Sequence, residues 1–152
     1  MNGTRKALFF DIDGTLLSEV THTVPESAKL ALKKAREKGH LVFINSGRTY
    51  CLIGPIKDLV EADGYCCGCG TRVIAEDEVI FSATIDHQTG LKIKKDIVTY
   101  NLDGVLEGTE SCYFQKEHSR IPRMEQLRAS VTAGGNASPY TWDEDCYDFD
   151  KF

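Results

Sequence analysis

Asp11 and Asp13 stand one residue apart at the end of a short apolar run, Ala7-Leu8-Phe9-Phe10, and Gly14 and Thr15 follow them. Two acids at such a spot are costly to place unless they hold a metal or do chemistry. An ionised carboxylate is a hard oxygen ligand suited to Mg2+, which keeps several waters and needs only one or two carboxylates. An aspartate can also attack phosphorus and form an aspartyl-phosphate, with the metal offsetting repulsion between the two anions. The second acid, two residues on, could protonate the leaving oxygen and later deprotonate a water. The same residues also read more simply as a strand and an Asp-Gly turn, since Asp-x-Asp-Gly suits tight loops.

A second constellation has the same shape. Leu41-Val42-Phe43-Ile44-Asn45 is another short apolar run, and Ser46-Gly47-Arg48 follows it. A hydroxyl with free backbone N–H groups beside a helix start makes an anion site, and Arg48 could add a bidentate phosphate or substrate contact. Taken alone, Ser46 could instead be a helix N-cap and Arg48 a surface charge.

These residues need elements to present them. Residues 7–10 are expected as a buried strand that delivers Asp11 to its carboxyl end, where open α/β sheets bind ligands. Side chains alternate along a strand, and the turn at Gly14 is expected to swing Asp13 back toward the same opening. Between the two runs, Pro25 and Glu26 suit a helix start. Ala28, Ala31, Leu32 and Ala35 recur at helical spacing, and Gly39 suits the C-terminal end. The two runs and this helix make a βαβ unit. A second helix is expected from Ile56 to Ala62, with Gly54-Pro55 breaking or starting it. Residues 72–75 and 78–81 bracket Glu76-Asp77 as a β-hairpin. Farther on, the pattern predicts a helix over 86–100, strands over 103–107 and 111–115, a helix over 121–131 entered through Pro122, and a loop over 132–139.

Phe9-Phe10-Asp11-Ile12-Asp13-Gly14-Thr15-Leu16-Leu17 resembles the first signature of the haloacid dehalogenase-like superfamily, in its phosphatase branch. Ser46-Gly47-Arg48 resembles the second, in the form seen in the Cof-like subgroup. Gly64-Tyr65 and Gly68-Cys69-Gly70-Thr71, with the hairpin after them, are similar to that subgroup as well. The resemblance implies an α/β fold: a Rossmann-like core of parallel sheet and helices, interrupted by an inserted α+β cap. It implies Asp11 as nucleophile and metal ligand. Asp13 is then the general acid/base, with its backbone carbonyl on Mg2+. An Asp at that second position goes with phosphatases and phosphomutases rather than dehalogenases. Gly14, Thr15, Ser46, Gly47 and Arg48 are implied as phosphate- or substrate-binding residues, and 16–24 as a short flap. Residues 1–83 would be the beginning of the core and 84–152 part of the cap, which closes over the site and chooses the substrate.

The later core of such proteins supplies a lysine and a Gly-Asp-x-x-Asn-Asp-type acidic motif, and neither is found in these 152 residues. The acidic stretch 143–150 lacks a preceding apolar strand and reads as a solvated loop or cap edge. The chain is therefore expected to resemble the first half of a Cof-like hydrolase, to self-associate through an unpaired sheet edge, and to show little phosphatase activity alone.

Composition narrows the rest. A net charge of −5 argues against nonspecific nucleic-acid binding, so the basic face of the first helix reads as solvated. No apolar run approaches the roughly 20 residues that span a bilayer. Among six cysteines, Cys66-x-x-Cys69 is half of a zinc pattern without a second half, and the four histidines form no ligand pair. Reduced thiols in a cytoplasmic chain are expected. The leading reading is a Mg2+-dependent phosphatase acting on small phosphorylated metabolites. The alternatives are an inactive remnant that binds phosphate or protein, and a phospho-acceptor signalling domain. The last is disfavoured because no isolated Asp closes the run 41–45.

Overall fold

The computed structural model describes residues 4–152. They form two compact units: one takes in the chain up to Arg48 with Ile53–Ser82, the other Thr49–Leu52 with Ala83–Phe152. No helix among the described residues is long and apolar enough to cross a membrane.

The first unit is a five-stranded sheet in sequential order. Strand β1 (Ala7–Phe10) and β2 (Leu41–Asn45) run parallel and level, Ala7 facing Leu41 and Phe10 facing Ile44. Helix α1 (Glu26–Glu37) is the crossover. Glu26 in its first turn and Lys34 and Arg36 in its last complement the helix dipole. Gly39 ends it at φ +84°, a left-handed conformation a side chain would strain. Of the predicted apolar stripe, Leu32 is buried and Ala28 and Ala35 are half-buried, while Ala31 is exposed. Strand β3 (Gly64–Cys67) pairs parallel to β2. The antiparallel hairpin β4 (Arg72–Ala75) and β5 (Glu78–Ser82) completes the sheet. Its turn is Glu76-Asp77, as expected, with both φ values positive.

Two expectations fail in this unit. Strand β1 is not buried: among the described residues it pairs with β2 alone, and Phe9 is 59% exposed although its ring stacks on Phe43 at 5.0 Å. The second helix is not Ile56–Ala62 but a single turn, α2 (Gly54–Lys57), with Pro55 in its first positions. The chain must reach β2 by Asp63, and two bonds hold it there. The Asp63 N–H donates to Val42 O (2.7 Å), and its carboxylate accepts from the Val42 N–H (2.8 Å). Arg36 grips the same carboxylate, Nη2 to Oδ1 at 3.0 Å. Burial opposes charge on Asp63, but the Val42 N–H and the Arg36 guanidinium outweigh it and hold the carboxyl below its ordinary range.

The second unit pairs helices with a small three-stranded sheet. Helix α3 (His87–Thr99) is capped by Asp86, whose carboxylate accepts from the Thr89 N–H at 3.0 Å. Strands β6 (Leu106–Glu107) and β7 (Cys112–Phe114) form a hairpin. Helix α4 (Pro122–Ala133) then leads to β8 (Ala137–Thr141), parallel to β7. The predicted loop over 132–139 is thus wrong at its end. β8 is an edge strand, where Pro139 is tolerated because an outward-facing N–H has no ladder bond to make. Ile97, Leu106, Trp142 and Phe149 form one core cluster and Cys112, Phe114 and Val131 another. The acidic stretch is a loop through Asp148, but Phe149 and Asp150 are buried, and Asp150 accepts hydroxyls from Thr84 and Thr109, each at 2.7 Å.

Candidate active site

The level pairing of β1 and β2 decides where the chemistry-bearing residues emerge. Both strands end at the same carboxyl end of the sheet, so Asp11 and Ser46 leave that end together. Past Phe10 the alternation persists: Asp11 is exposed, Ile12 is fully buried, Asp13 is exposed. Both acids are thus exposed on either side of a buried Ile12, in the segment that follows the strand. The turn is built after them. Leu17 N donates to Ile12 O (2.8 Å), Leu16 N to Asp11 O (3.2 Å) and Gly14 N to Leu17 O (3.1 Å), with Gly14 at φ +77°. Buried Ile12 and Leu16 anchor it.

The Asp11 carboxylate has no hydrogen-bond or ion-pair partner among the described residues, whereas that of Asp13 is gripped by Arg48. Nη2 meets Oδ1 at 2.6 Å and Nε meets Oδ2 at 3.0 Å. This is the bidentate geometry that a guanidinium makes with carboxylate or phosphate alike. Arg48 thus sits at the site, but on Asp13 rather than held open for an anion. Nothing in a single sequence marks that pair, because the partners lie 35 residues apart.

Ser46 is 4% exposed. Its Oγ accepts from the Arg48 N–H (3.1 Å), its N–H donates to Cys66 O (2.8 Å), and its carbonyl accepts from Cys69 N–H (3.2 Å). The hydroxyl proton is still available to donate. The carbonyl of Arg48 accepts from Gly68 N–H at 2.7 Å. Gly68, Cys69 and Gly70 all have positive φ, and this tight loop is the clamp on Ser46-Gly47-Arg48. Sequence reasoning assigned the loop no role at the site, although glycines on both sides of Cys69 signal an unusual backbone. A Cβ on Gly47 would lie 3.5 Å from Cys69 Sγ, so the loop follows the turn closely. Gly14 and Thr15 are exposed beside Asp13, but their N–H groups are spent within the turn, on Leu17 O and Ile12 O. The Thr15 hydroxyl is the donor these two residues still offer a ligand. Cys66, next to the clamp, has its thiol pushed up by burial.

Among the described residues no three His, Cys, Asp or Glu side chains converge as a metal-ligand set. For Mg2+ the donor set nonetheless fits. A hard cation that keeps its waters needs one or two carboxylates, and Asp11 offers an exposed carboxylate that pairs with no cation among the described residues. What the arrangement can do is present an unpaired carboxylate beside an acid held by an arginine, with a buried hydroxyl on the adjacent strand end.

Comparison with known proteins agrees with this architecture. Residues 8–146 match the family described as haloacid dehalogenase-like hydrolase. The "Putative phosphatase YkrA" of Bacillus subtilis is 36% identical over 76 residues, half of this chain and 29% of that protein. The structure of BT1666 from Bacteroides thetaiotaomicron, a phosphatase of the haloalkanoate enzyme superfamily, superposes with a TM-score of 0.68 at 31% identity. It covers 84% of this chain and 47% of its own. The subclass IIB sugar phosphatase BT4131 has a TM-score of 0.73 at 23% identity, over 93% of this chain and 54% of its own, a likeness of fold alone. The chain spans about half the length of these solved structures and less than a third of the curated relative.

Proposed function

The chain belongs to the haloacid dehalogenase-like hydrolases, and on that premise we propose that it carries the nucleophile half of a Mg2+-dependent phosphatase for small phosphorylated metabolites. The observation that carries this reading is the contrast between the two acids: Asp11 is exposed and has no partner among the described residues, while Asp13 is bound in two places by Arg48. An unpartnered carboxylate is free to attack. In the proposed reaction Asp13 takes up a proton as Arg48 gives part of its grip to the incoming phosphate; an Asp11 oxygen then bonds to phosphorus as the bond to the leaving alkoxide breaks, and Asp13 gives the leaving oxygen that proton. Asp13, now a carboxylate, takes a proton from water as the water opens the aspartyl-phosphate. The Ser46 hydroxyl donates to a phosphoryl oxygen, and Arg48, whose fork suits phosphate as well as carboxylate, is shared between Asp13 and the incoming anion. Asp11, with the Asp13 carbonyl, would hold Mg2+, which when bound supplies positive charge against the gathering anions. Residues 84–152 are read as part of the inserted cap that selects the substrate.

The test is binding of beryllofluoride, a phosphoaspartate mimic, measured by calorimetry with and without Mg2+. Binding that needs Mg2+ and disappears in Asp11→Asn supports the reading. Binding that ignores both the metal and the substitution refutes it and favours a phosphate-binding protein without catalysis.

A further inference from the structure

The second unit holds a pair of sulfurs that the proposed reaction does not use. Cys51 lies in the 3-10 turn Tyr50–Leu52 and Cys112 in β7, and their Sγ atoms are 3.9 Å apart, in hydrogen-bond contact. Cys112 is fully buried, and its position is set from both sides. It pairs with Glu107 of β6 and Ala137 of β8, and its N–H donates to Asn136 O at 2.8 Å. Cys51 is only half-buried, so it is the sulfur that a small solute reaches. Its Sγ also lies 3.5 Å from Thr49 Oγ1 and 3.4 Å from Gly108 O.

We propose that Cys51 and Cys112 are a redox-active pair that closes to a reversible disulfide when the protein meets hydrogen peroxide. The sulfurs are close: shortening 3.9 Å to the about 2.0 Å of a disulfide asks roughly 1 Å of each. The two sulfurs also differ in the way such a pair requires. Contact with Cys112 holds the Cys51 thiol down against the opposing effect of its burial, whereas the same contact and deeper burial push Cys112 up. Cys51, the half-buried sulfur that solutes reach, is the nucleophile, and the fully buried Cys112 is the resolving thiol. In the first step the Cys51 thiolate attacks one peroxide oxygen, the O–O bond breaks, and the leaving hydroxide takes a proton to become water. Cys51 is then a sulfenic acid. In the second, Cys112 loses its proton and its sulfur attacks the Cys51 sulfur, the S–O bond breaks, and a second water leaves. Each sulfur has given one electron and the peroxide has taken two. The bridge would tie Thr49–Leu52, which follows Arg48 directly in the chain, to the three-stranded sheet.

The experiment treats the full chain with hydrogen peroxide, blocks remaining thiols with iodoacetamide and maps tryptic peptides without reduction. The expected product joins peptide 49–57 to peptide 96–116 with the loss of two hydrogens, and dithiothreitol reverses it. The melting temperature of the bridged protein should rise by roughly 5–15 °C, since the cross-link closes a long loop. In Cys112→Ser, dimedone should trap Cys51 as the sulfenic acid. Should that variant not fold, the wild-type map decides alone. If Cys51 and Cys112 stay alkylatable under peroxide that oxidises exposed Cys69 and Cys146, or if the pairings prove no more selective than in urea, the proposal is wrong.

Discussion

Replacing Gly64 with alanine tests the physical basis of the site from below. Gly64 opens β3 and lies between Phe43 of β2 and Ala75 of β4. A Cβ there would stand 2.3 Å from Ile74 O and 2.4 Å from Phe43 Cε1. Ordinary carbon contacts begin near 3.5 Å, so the overlap is about 1 Å against both a neighbouring main chain and a ring. Neither yields easily: the Ile74 carbonyl belongs to a paired strand, and the Phe43 ring is stacked on Phe9. Overpacking a well-packed site costs about 1–3 kcal/mol, and a main-chain clash belongs at the upper end. At roughly 2–4 °C per kcal/mol for a chain of this size, melting should fall by about 6–12 °C. The disturbance also reaches chemistry, because Cys66, two residues along β3, receives the Ser46 N–H. Circular dichroism during heating and urea titration gives the measurement. Gly54→Ala is the control: nothing lies within 4 Å of its Cβ, so it should change stability by no more than about 1 kcal/mol. A Gly64→Ala protein within about 0.5 kcal/mol of wild type, the range of an inert surface change, would show that the sheet yields at this point and that the clash argument fails.

Two further outcomes follow from named contacts. Arg48→Ala should alter overall stability by less than about 1 kcal/mol, because the Asp13 pair is largely exposed, yet weaken beryllofluoride binding. Arg48→Lys should not restore that binding, since an ammonium cannot span two oxygens, and full rescue by lysine in calorimetry would count against the bidentate role. Asp63, whose folded carboxyl is held below its ordinary range, contributes stability that is complete above the unfolded value of about 3.9 and lost as pH falls through the lower folded value. Urea titrations at neutral and strongly acid pH should therefore show a smaller acid loss in Asp63→Asn than in wild type, and equal losses would refute the assignment.

Local chemistry was legible residue by residue. An apolar run ending in Asp-Ile-Asp-Gly-Thr identifies a strand and an acidic turn, because alternation and turn preference act over a few positions. Glu76-Asp77 marks its hairpin for the same reason, and Pro122 the start of α4. The misreadings came where a distant partner overruled the local signal. Residues 56–62 look helical, but the Asp63 bonds to Val42 end the helix after one turn. Residues 137–141 look like loop, but β7 offers them an edge to pair with.

What the amino-acid order determined by itself is thus the chemical inventory at each strand end: Asp11 and Asp13 on one, Ser46, Gly47 and Arg48 on the other. Tertiary structure decided their company. The level register of Ala7 with Leu41 brings the two carboxyl ends to the same end of the sheet. Arg48 reaches Asp13 across 35 positions, and Cys51 meets Cys112 across 61. Such encounters depend on how the strands align and how the core packs, and no short stretch of residues encodes either.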